Sequence, residues 1–383
     1  MIGHYLGWEP TLESTERFTR NLRPERVHAA RENGTMVGAA GAFEHELTVP
    51  GGTVRAAGVT IVGVLPTHRR RGLMAELMRT QIDDVRRRGE PLAYLWASEA
   101  GIYGRFGYGL ASLAGEINLP RERTRFLLPV EPVGRTRIVD ADEALATFPA
   151  VYEAARRPGM FARGETWWRY RKLEDPVEQR RGGGPLNRVL LEIDGEPAAY
   201  ALYRSHAKFE EGANVGRLEV LEAFGATPAA TRSIWAYLLG IDWLGSFNAY
   251  HLPLDHPLLL LLAEPRRLRF RVYDSLFVRL VDVEAALSAR GYPGHGEITI
   301  EVEDAFCPWN AGHWRITRSG AERTDSPGEL ALDVRELGSV YLGGFTFAQL
   351  AEAGRVTELE PGALARADAL FRADVAPWCP EIF

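Results

Sequence analysis

The sequence predicts an α+β fold built from more than one domain. An apolar run ends at Pro66 and is followed by a basic loop and a helical pattern, so strand, loop and helix follow one another between Val59 and Leu77. A similar order recurs between Leu218 and Leu239. Short strands separated by turn residues surround both units, and 383 residues suit two or three domains.

The first region is predicted to hold a helix, three meandering strands, a helix, a strand, a short helix and a last strand. Asn33-Gly34 is a strong hairpin signal between the first two strands. Apolar residues at helical spacing follow the basic loop, and Gly89-Glu90-Pro91 ends that helix. The other predicted segments are a helix over Thr11–Leu22 and strands over Arg26–Arg31, Met36–Val49, Val54–Leu65 and Leu92–Ala97.

A proline- and charge-bearing linker, Arg121–Arg135, is followed by a second α/β region with a hairpin at Asp194-Gly195. Because this region repeats strand, loop and helix without the arginines, we interpret it as a decayed duplicate of the first. A third region begins near Val283. Its predicted segments are helices over Val283–Ala289, Phe347–Ala353 and Ala363–Arg372 and strands over Ile298–Val302, Trp314–Thr317 and Leu330–Val334.

Composition is ordinary for a globular protein, with 46% hydrophobic and 25% charged residues. The formal net charge is −6 and the isoelectric point is near 5.9. This charge disfavours bulk binding to nucleic acid or to an anionic membrane, and it permits a cationic substrate.

Cys307 and Cys379 are the two cysteines, and the nine histidines show no paired spacing, so neither a disulfide framework nor a metal site is expected. Met1–Tyr5 lacks the basic and apolar pattern of a leader peptide. The longest apolar run, Leu258–Ala263, is too short to span a bilayer. A cytoplasmic protein is therefore expected.

Three arginines, Arg69 to Arg71, stand where the helix N-terminus carries unpaired N–H groups and partial positive charge. Their charge has the wrong sign for that dipole unless an anion lies in the loop, where backbone amides and guanidinium groups both bind phosphate. A solvated basic turn is the alternative. Neither a P-loop motif nor a dinucleotide-binding motif is present.

The stretch Arg69-Arg70-Arg71-Gly72-Leu73-Met74 resembles the acetyl-CoA pyrophosphate loop of the GNAT superfamily of N-acetyltransferases. Met74 departs from that signature, in which a small residue is usual. Arg-Arg-Arg-Gly-Leu suits one subfamily better, the Eis-type (enhanced intracellular survival) acetyltransferases. The resemblance covers the whole chain and is most specific in the first region.

The resemblance implies a GNAT domain over residues 1–130, a degenerate GNAT-like domain without the phosphate loop over 131–282, and a sterol-carrier-protein-like domain over 283–383. It also implies acetyl-CoA as a co-substrate. The pantetheine arm would pair with the strand before the loop. The implied cofactor-binding residues are Val62, Gly63, Val64, Arg70, Arg71, Gly72, Leu73, Met74, Ala75, Ser98 and Glu99.

Tyr103 lies in Ile102-Tyr103-Gly104-Arg105-Phe106-Gly107-Tyr108, which resembles the element that places a tyrosine beside the CoA sulfur. The resemblance therefore implies Tyr103 as the acid, and aromatic packing against the sheet is the alternative. Many GNAT enzymes carry a glutamate base on the central strand, but Val59–Leu65 contains no carboxylate. In Eis-type enzymes the terminal phenylalanine carboxylate is the base, and Phe383 matches it; a terminus packed on its own domain is the alternative.

The resemblance to Eis-type enzymes implies an N-acetyltransferase that modifies primary amines of bulky polycations, of the aminoglycoside type, by direct attack in a ternary complex. The resemblance implies further copies in a homohexamer. The other expected partner is a cationic small molecule, with no nucleic acid and no membrane. Two alternatives stay open: a protein lysine or longer-chain N-acyltransferase, and a non-catalytic lipid carrier built on the third domain.

Overall fold

The structure is a computed structural model that describes residues 11–383, so Met1–Tyr5, on which the leader prediction rests, lie outside the described residues. Two compact units make up the chain. Among the described residues, one comprises 11–113, Arg157–Ala162 and Asp274–Phe383, and the other comprises Ala114–Arg156 and Arg163–Tyr273.

Helices and strands are numbered separately in chain order. The helices are α1 Leu12–Thr19, α2 Leu73–Arg87, α3 Ala100–Tyr103, α4 Ala141–Ala154, α5 Glu165–Trp167, α6 Pro228–Leu239, α7 Leu258–Leu261, α8 Val283–Ala289, α9 Val334–Tyr341, α10 Phe347–Glu352 and α11 Ala363–Phe371. The strands are β1 Val27–Glu32, β2 Thr35–Val49, β3 Gly52–Val64, β4 Leu92–Trp96, β5 Gly109–Leu110, β6 Leu113–Pro120, β7 Arg135–Ile138, β8 Asn187–Ile193, β9 Glu196–His206, β10 Phe209–Glu210, β11 Ala213–Asn214, β12 Arg217–Gly225, β13 Ser246–Leu252, β14 Arg271–Asp274, β15 Leu276–Leu280, β16 Glu297–Glu303, β17 Gly312–Thr317, β18 Gly320–Arg323, β19 Leu330–Asp333 and β20 Val356–Glu358.

The first sheet has the strand order β1-β2-β3-β4-β15-β5. β1, β2 and β3 are antiparallel, and β3 runs parallel to β4 because α2 connects them by a crossover. The predicted hairpin is confirmed at its turn, where Gly34 has a φ of 82°. The inward face of α2 packs on this sheet through Leu77, Met78, Ile82 and Val85.

The second sheet repeats this plan. Its order is β14-β6-β13-β12-β9-β8-β7, so β8-β9-β12-β13-β6-β14 match the six strands of the first sheet, with β7 added at one edge. β9 and β12 are antiparallel, β12 and β13 are parallel, and α6 is the crossover helix between them. The predicted duplication is therefore confirmed, as is the hairpin at Asp194-Gly195.

Each sheet takes one strand from a distant part of the chain. β15 pairs with β4 in the first sheet, although it follows the second region in sequence. β6 pairs with β13 in the second sheet, although it follows the first region. The domain bounds 1–130, 131–282 and 283–383 stay a prediction, because the compact units combine segments that are not consecutive.

The third sheet has the order β18-β17-β16-β19-β20, and helices from the last hundred residues accompany it. The predicted strands and helices of this region are present with shifts of one or two residues at their ends. α9 was not predicted, because it follows β19 without an intervening loop. The side chain of Asp333 caps its start by accepting a hydrogen bond from the Arg335 amide at 3.0 Å.

α4 was also missed by the sequence analysis. The Asp140 side chain caps its start by accepting from the Glu143 amide at 2.8 Å, but Pro149 lies inside the helix and interrupts the helical pattern. The predicted linker Arg121–Arg135 contains a short 3-10 turn, and residue 135 opens β7.

Candidate active site

The first turn of α2 and the three residues before it include six of the predicted cofactor-binding residues. Gly72 precedes the helix as its N-cap with a φ of 80°, a conformation that glycine adopts without steric penalty, and no side chain caps the turn. Arg70 also has a positive φ, 60°, which turns the loop sharply into the helix. The six residues are Arg70, Arg71, Gly72, Leu73, Met74 and Ala75.

One of these arginines is already held by a carboxylate. Arg71 forms an ion pair with Glu32 at the end of β1, and the Nε2 atom of His68 lies 2.8 Å from the same carboxylate. Hydrogen bonds from Arg71 and His68 lower the pKa of Glu32 to about 2. An anion that binds Arg71 must therefore share the guanidinium with Glu32 or displace it.

The strand before the loop is bent by a β-bulge at Ile61. Ala39 and Gly41 of β2 pair with Gly63 and Thr60, so β3 carries one extra residue. Ile61 has a φ of 49°, which is unusual for a β-branched residue. Gly41 makes the bulge possible, because a Cβ atom there would lie 2.9 Å from Cγ1 of Ile61.

The bulge accompanies a separation of the two central strands. Among residues 11–383, the parallel pairing of β3 with β4 covers Ala56–Gly58 and Leu92–Tyr94, although β3 continues to Val64. On its other side β3 stays paired with β2 as far as Val64. The predicted pantetheine-binding residues are thus placed beyond the point where β4 leaves β3; they are Val62, Gly63 and Val64.

Tyr103 ends α3, the short helix that follows β4. Its side chain is 6% exposed, and its ring packs edge-on against Tyr108 with centroids 6.0 Å apart. Burial raises the pKa of Tyr103 above its ordinary value, and a hydrogen bond with the Ser98 side chain acts in the opposite direction. The phenol therefore stays protonated at neutral pH. Glu99, the other predicted residue here, is an exposed N-cap of α3.

Arg105 links the Tyr103 segment to the start of α2. Its guanidinium donates to Sδ of Met74, in the first turn of α2, at 3.7 Å, and it stacks over Phe106. The sequence analysis did not single out Arg105. The contact places Tyr103 and the loop of arginines on neighbouring segments.

The C-terminal residue lies on the same sheet. The Phe383 ring contacts Phe43, His45, Tyr94 and Phe161, with centroid distances of 6.4, 5.5, 5.0 and 5.9 Å. We call these four rings the terminal seat. This position is consistent with the prediction that the chain end is tied to the first domain. Phe383 contacts Tyr94 of β4, and β4 is followed by the short helix that ends at Tyr103.

The sheet register explains why a ring fits there. Phe43, Gly58 and Tyr94 are paired neighbours on β2, β3 and β4, so they form one row across the sheet. The glycine leaves a gap between two aromatic rings, and a Cβ atom at Gly58 would lie 3.2 Å from Cε2 of Phe383. The terminal ring fills the gap.

The terminal seat was missed by the sequence analysis because its members come from three distant segments, namely β2, β4 and Arg157–Ala162. Phe161 belongs to Arg157–Ala162, which joins β2 through the Thr48 amide to the Met160 carbonyl at 2.7 Å. The available signal was Gly58, a glycine inside an apolar strand, which indicates close approach of another group.

In the part of the chain that the structure describes, no group of histidine, cysteine or acidic residues is arranged to hold a metal ion. None of the described helices is long and apolar enough to cross a membrane.

Comparison with known proteins covers the whole chain. Family models match residues 5–111 and 159–280, both described as an acetyltransferase (GNAT) domain, and residues 283–380, described as a sterol carrier protein domain. An uncharacterized N-acetyltransferase of Streptomyces avermitilis is 45% identical and covers 100% of this chain and 95% of the relative.

Two further relatives carry the Eis name. N-acetyltransferase Eis of Mycobacterium tuberculosis is 36% identical over 89% of this chain and 84% of its own. The crystal structure of Eis1 from Mycobacterium abscessus superposes with a TM-score of 0.87 at 34% identity, covering 100% of this chain and 95% of that one. The chain therefore belongs to the Eis-type N-acetyltransferases of the GNAT superfamily.

Proposed function

We propose that the protein transfers an acetyl group from acetyl-CoA to primary amines of bulky polycations of the aminoglycoside type. The observation that carries the proposal is the shared sheet: the loop of arginines, the buried Tyr103 and the terminal Phe383 all attach to β3 and β4 or the segments that follow them. The net charge of −6 favours a cationic acceptor.

The donor would be held by two features of the chain. The amides of the first turn of α2 and the exposed arginines bind its phosphates, since both are anion donors. The edge of β3 beyond Gly58 binds the pantetheine arm as an added strand. Ser98 and Glu99 flank the arm at the end of β4. The residues proposed for the first two features are Arg70, Arg71, Gly72, Leu73, Met74 and Ala75 for the phosphates, and Val62, Gly63 and Val64 for the arm.

The reaction is a direct attack. The acceptor ammonium gives a proton to the Phe383 carboxylate, its nitrogen bonds to the thioester carbonyl carbon, and the carbon–sulfur bond breaks. Tyr103 gives its proton to the departing thiolate. The phenol is the weaker acid, with an ordinary pKa of about 10 against about 8.5 for a thiol, so this transfer must accompany bond cleavage. The acylated nitrogen then loses its remaining excess proton to the Tyr103 phenolate, and the Phe383 carboxyl releases its proton to water, so both groups return to their starting state.

A terminal carboxylate with an ordinary pKa of about 3.5 is a weak base at neutral pH. Partial removal of water strengthens it, because a less polar surrounding disfavours the charged form. Phe383 is half-buried among aromatic rings, which supports this role.

We also propose that the protein works in the cytoplasm as a homohexamer, with a small cationic amine as its partner and without nucleic acid or membrane. Mass photometry at nanomolar concentration tests the assembly: six copies per particle are expected, and a monomer would contradict it.

The first experiment measures free thiol released from acetyl-CoA with aminoglycosides, diamines and lysine peptides. Three proteins are compared: the chain with its natural C-terminus, a version extended beyond Phe383, and Tyr103→Phe. Turnover of aminoglycosides is expected, with losses of about 100-fold or more in both altered proteins. Circular dichroism and a long-chain acyl-CoA donor serve as controls.

Other outcomes revise the proposal. Turnover that survives the extension would remove Phe383 as the base while retaining the enzyme. A preference for lysine peptides or long-chain acyl-CoA would point to a protein or long-chain acyltransferase. No thiol release, together with co-purifying lipid and no CoA binding, would favour a lipid carrier.

A further inference from the structure

The terminal seat contains one polar pair. Nδ1 of His45 and the hydroxyl of Tyr94 lie 2.6 Å apart and share a hydrogen bond. Both side chains are buried, His45 at 7% exposure and Tyr94 at 0%. A buried bond between two rings fixes the angle of each ring, because rotating either one breaks the bond where water does not replace it.

The pair is held from the other side by a stacked ring. His45 lies parallel to Phe161, with an interplanar angle of 5° and centroids 3.8 Å apart. Phe161 is fixed by its own backbone, since the neighbouring Ala162 amide donates to the Glu46 carbonyl on β2 at 2.9 Å. His45 is therefore clamped between a hydrogen bond and a stacking contact.

Both members of the pair touch the terminal ring. Phe383 meets His45 edge-on at 84° and Tyr94 at 67°, the geometry that aromatic pairs favour. The backbone of Gly58 packs closely against the remaining side of His45, because a Cβ atom at this position would lie 2.6 Å from Nδ1 of His45. The terminal seat therefore holds the Phe383 ring in one position, and the angle of that ring depends on the His45–Tyr94 hydrogen bond.

We propose that His45 and Tyr94 are positioning residues for the acyl-transfer step: their hydrogen bond orients the Phe383 ring and thereby aims the terminal carboxylate at the acceptor amine. The inference rests on the proposed role of that carboxylate. Neither side chain needs to touch the substrate.

The test compares Tyr94→Phe and His45→Leu with the unaltered chain. Tyr341→Phe is the matched control, because its hydroxyl also makes a buried bond, to the Ala286 carbonyl at 2.7 Å, away from the seat. Carboxypeptidase A, which removes C-terminal aromatic residues, is added to each protein, and mass spectrometry follows the loss of Phe383.

Cleavage tracks the fraction of molecules whose chain end has left the seat. Loss of one buried hydrogen bond therefore predicts release about two- to tenfold faster in Tyr94→Phe and His45→Leu, with no change in Tyr341→Phe. The kcat for the amine is expected to fall by a similar factor, whereas the KM for acetyl-CoA stays constant, because the α2 loop is untouched.

Unchanged Phe383 release in both seat variants would overturn the inference, whatever happens to activity. An equal acceleration in Tyr341→Phe would overturn it too, because general loosening would then explain the effect. Faster release with unchanged kcat would separate the seat from the chemistry and would also overturn it. If the natural chain shows no turnover, the proposed function fails instead, while the release assay still decides whether the pair holds the terminus.

Discussion

The two strand–loop–helix units share a plan but differ at the start of the helix. The N-cap of α2 is Gly72, which offers no side-chain cap and follows three arginines. α6 begins at Thr227, whose side chain accepts a hydrogen bond from the Ala230 amide at 3.2 Å, and Pro228 has no amide hydrogen to offer. A side chain of the chain itself thus caps the first turn of α6, whereas no side chain caps the first turn of α2.

The two sheets also differ beside the bulge of the central strand. β12 has a bulge at Leu221, as β3 has at Ile61. The next residue of β12, Glu222, enters a buried cluster in which Arg163 and Lys172 form ion pairs with its carboxylate at 2.7 Å. Corresponding architecture is thus used for an interior ion cluster in one sheet and for an open strand edge in the other.

The largest effect is expected when the ion cluster is broken. Glu222→Gln leaves two buried cations without their carboxylate, which costs about 3–5 kcal/mol in the free energy of unfolding. Chemical denaturation measures this loss, with Glu322→Gln in the exposed pair with Arg315 as control. The KM for acetyl-CoA should not change, and a large rise would show that the second sheet takes part in donor binding.

The ion pairs of Glu222 also predict that the free energy of unfolding depends on pH. Burial raises the pKa of Glu222, but Arg163 and Lys172 outweigh it and hold the pKa at about 2, below the unfolded value of about 4.3. The advantage of the natural chain over Glu222→Gln is therefore full above about pH 4.5 and disappears as the pH falls toward 2. A pH-independent difference in unfolding free energy would contradict this assignment.

Charge reversal just before α2 tests whether its N-terminal end binds the phosphates of acetyl-CoA. Arg70→Glu with Arg71→Glu removes two charge-assisted contacts, so the KM for acetyl-CoA should rise by about 100-fold. Arg87→Glu, in the last turn of the same helix, is the matched control and should change the KM less than twofold. Equal effects from both ends would indicate a general charge effect rather than a phosphate site.

Closing the bulge of β3 should have a moderate effect. Gly41→Ala brings a methyl group against Ile61, and overpacking of this kind costs about 1–3 kcal/mol. Combining it with Ile61→Ala removes the clashing atoms, so much of the loss should be recovered in thermal unfolding. Strictly additive losses would show that the contact between the two residues is not the cause.

The smallest effect is expected at Glu32, whose carboxylate forms the ion pair with Arg71. Glu32→Gln releases the guanidinium and removes a negative charge beside the loop, so the KM for acetyl-CoA should fall about two- to threefold at low salt. The difference should shrink in 0.5 M salt. A raised KM would indicate that Glu32 orients Arg71 for binding instead of competing for it.

The features predicted well from the sequence are local ones. The basic loop, the helix of residues 73–87 and the Asn33-Gly34 hairpin depend on neighbouring residues, and each is present. The bulge at Ile61 depends on Gly41 in another strand, so no local pattern predicts it. The terminal seat and the distant strands β6 and β15 likewise depend on contacts across more than a hundred residues.

The role of single residues could be predicted only in part. Tyr103 was recognisable from its motif, but its burial and its bond to Ser98 depend on packing. The arginine motif was recognisable too, whereas its neutralising partner Glu32 lies in a strand whose sequence carries no functional signal. The catalytic and binding roles of all these residues stay predictions.

The placement of β15 has a consequence for synthesis. The edge of β4 stays uncovered until Leu276–Leu280 has been made, some 180 residues after Trp96. At ribosomal rates this takes roughly 10–35 s, during which an unpaired strand edge invites wrong pairing between nascent chains. The first sheet therefore cannot mature by itself at the ribosome, and chain termination before residue 276 should yield an aggregating fragment rather than a small, independent acetyltransferase.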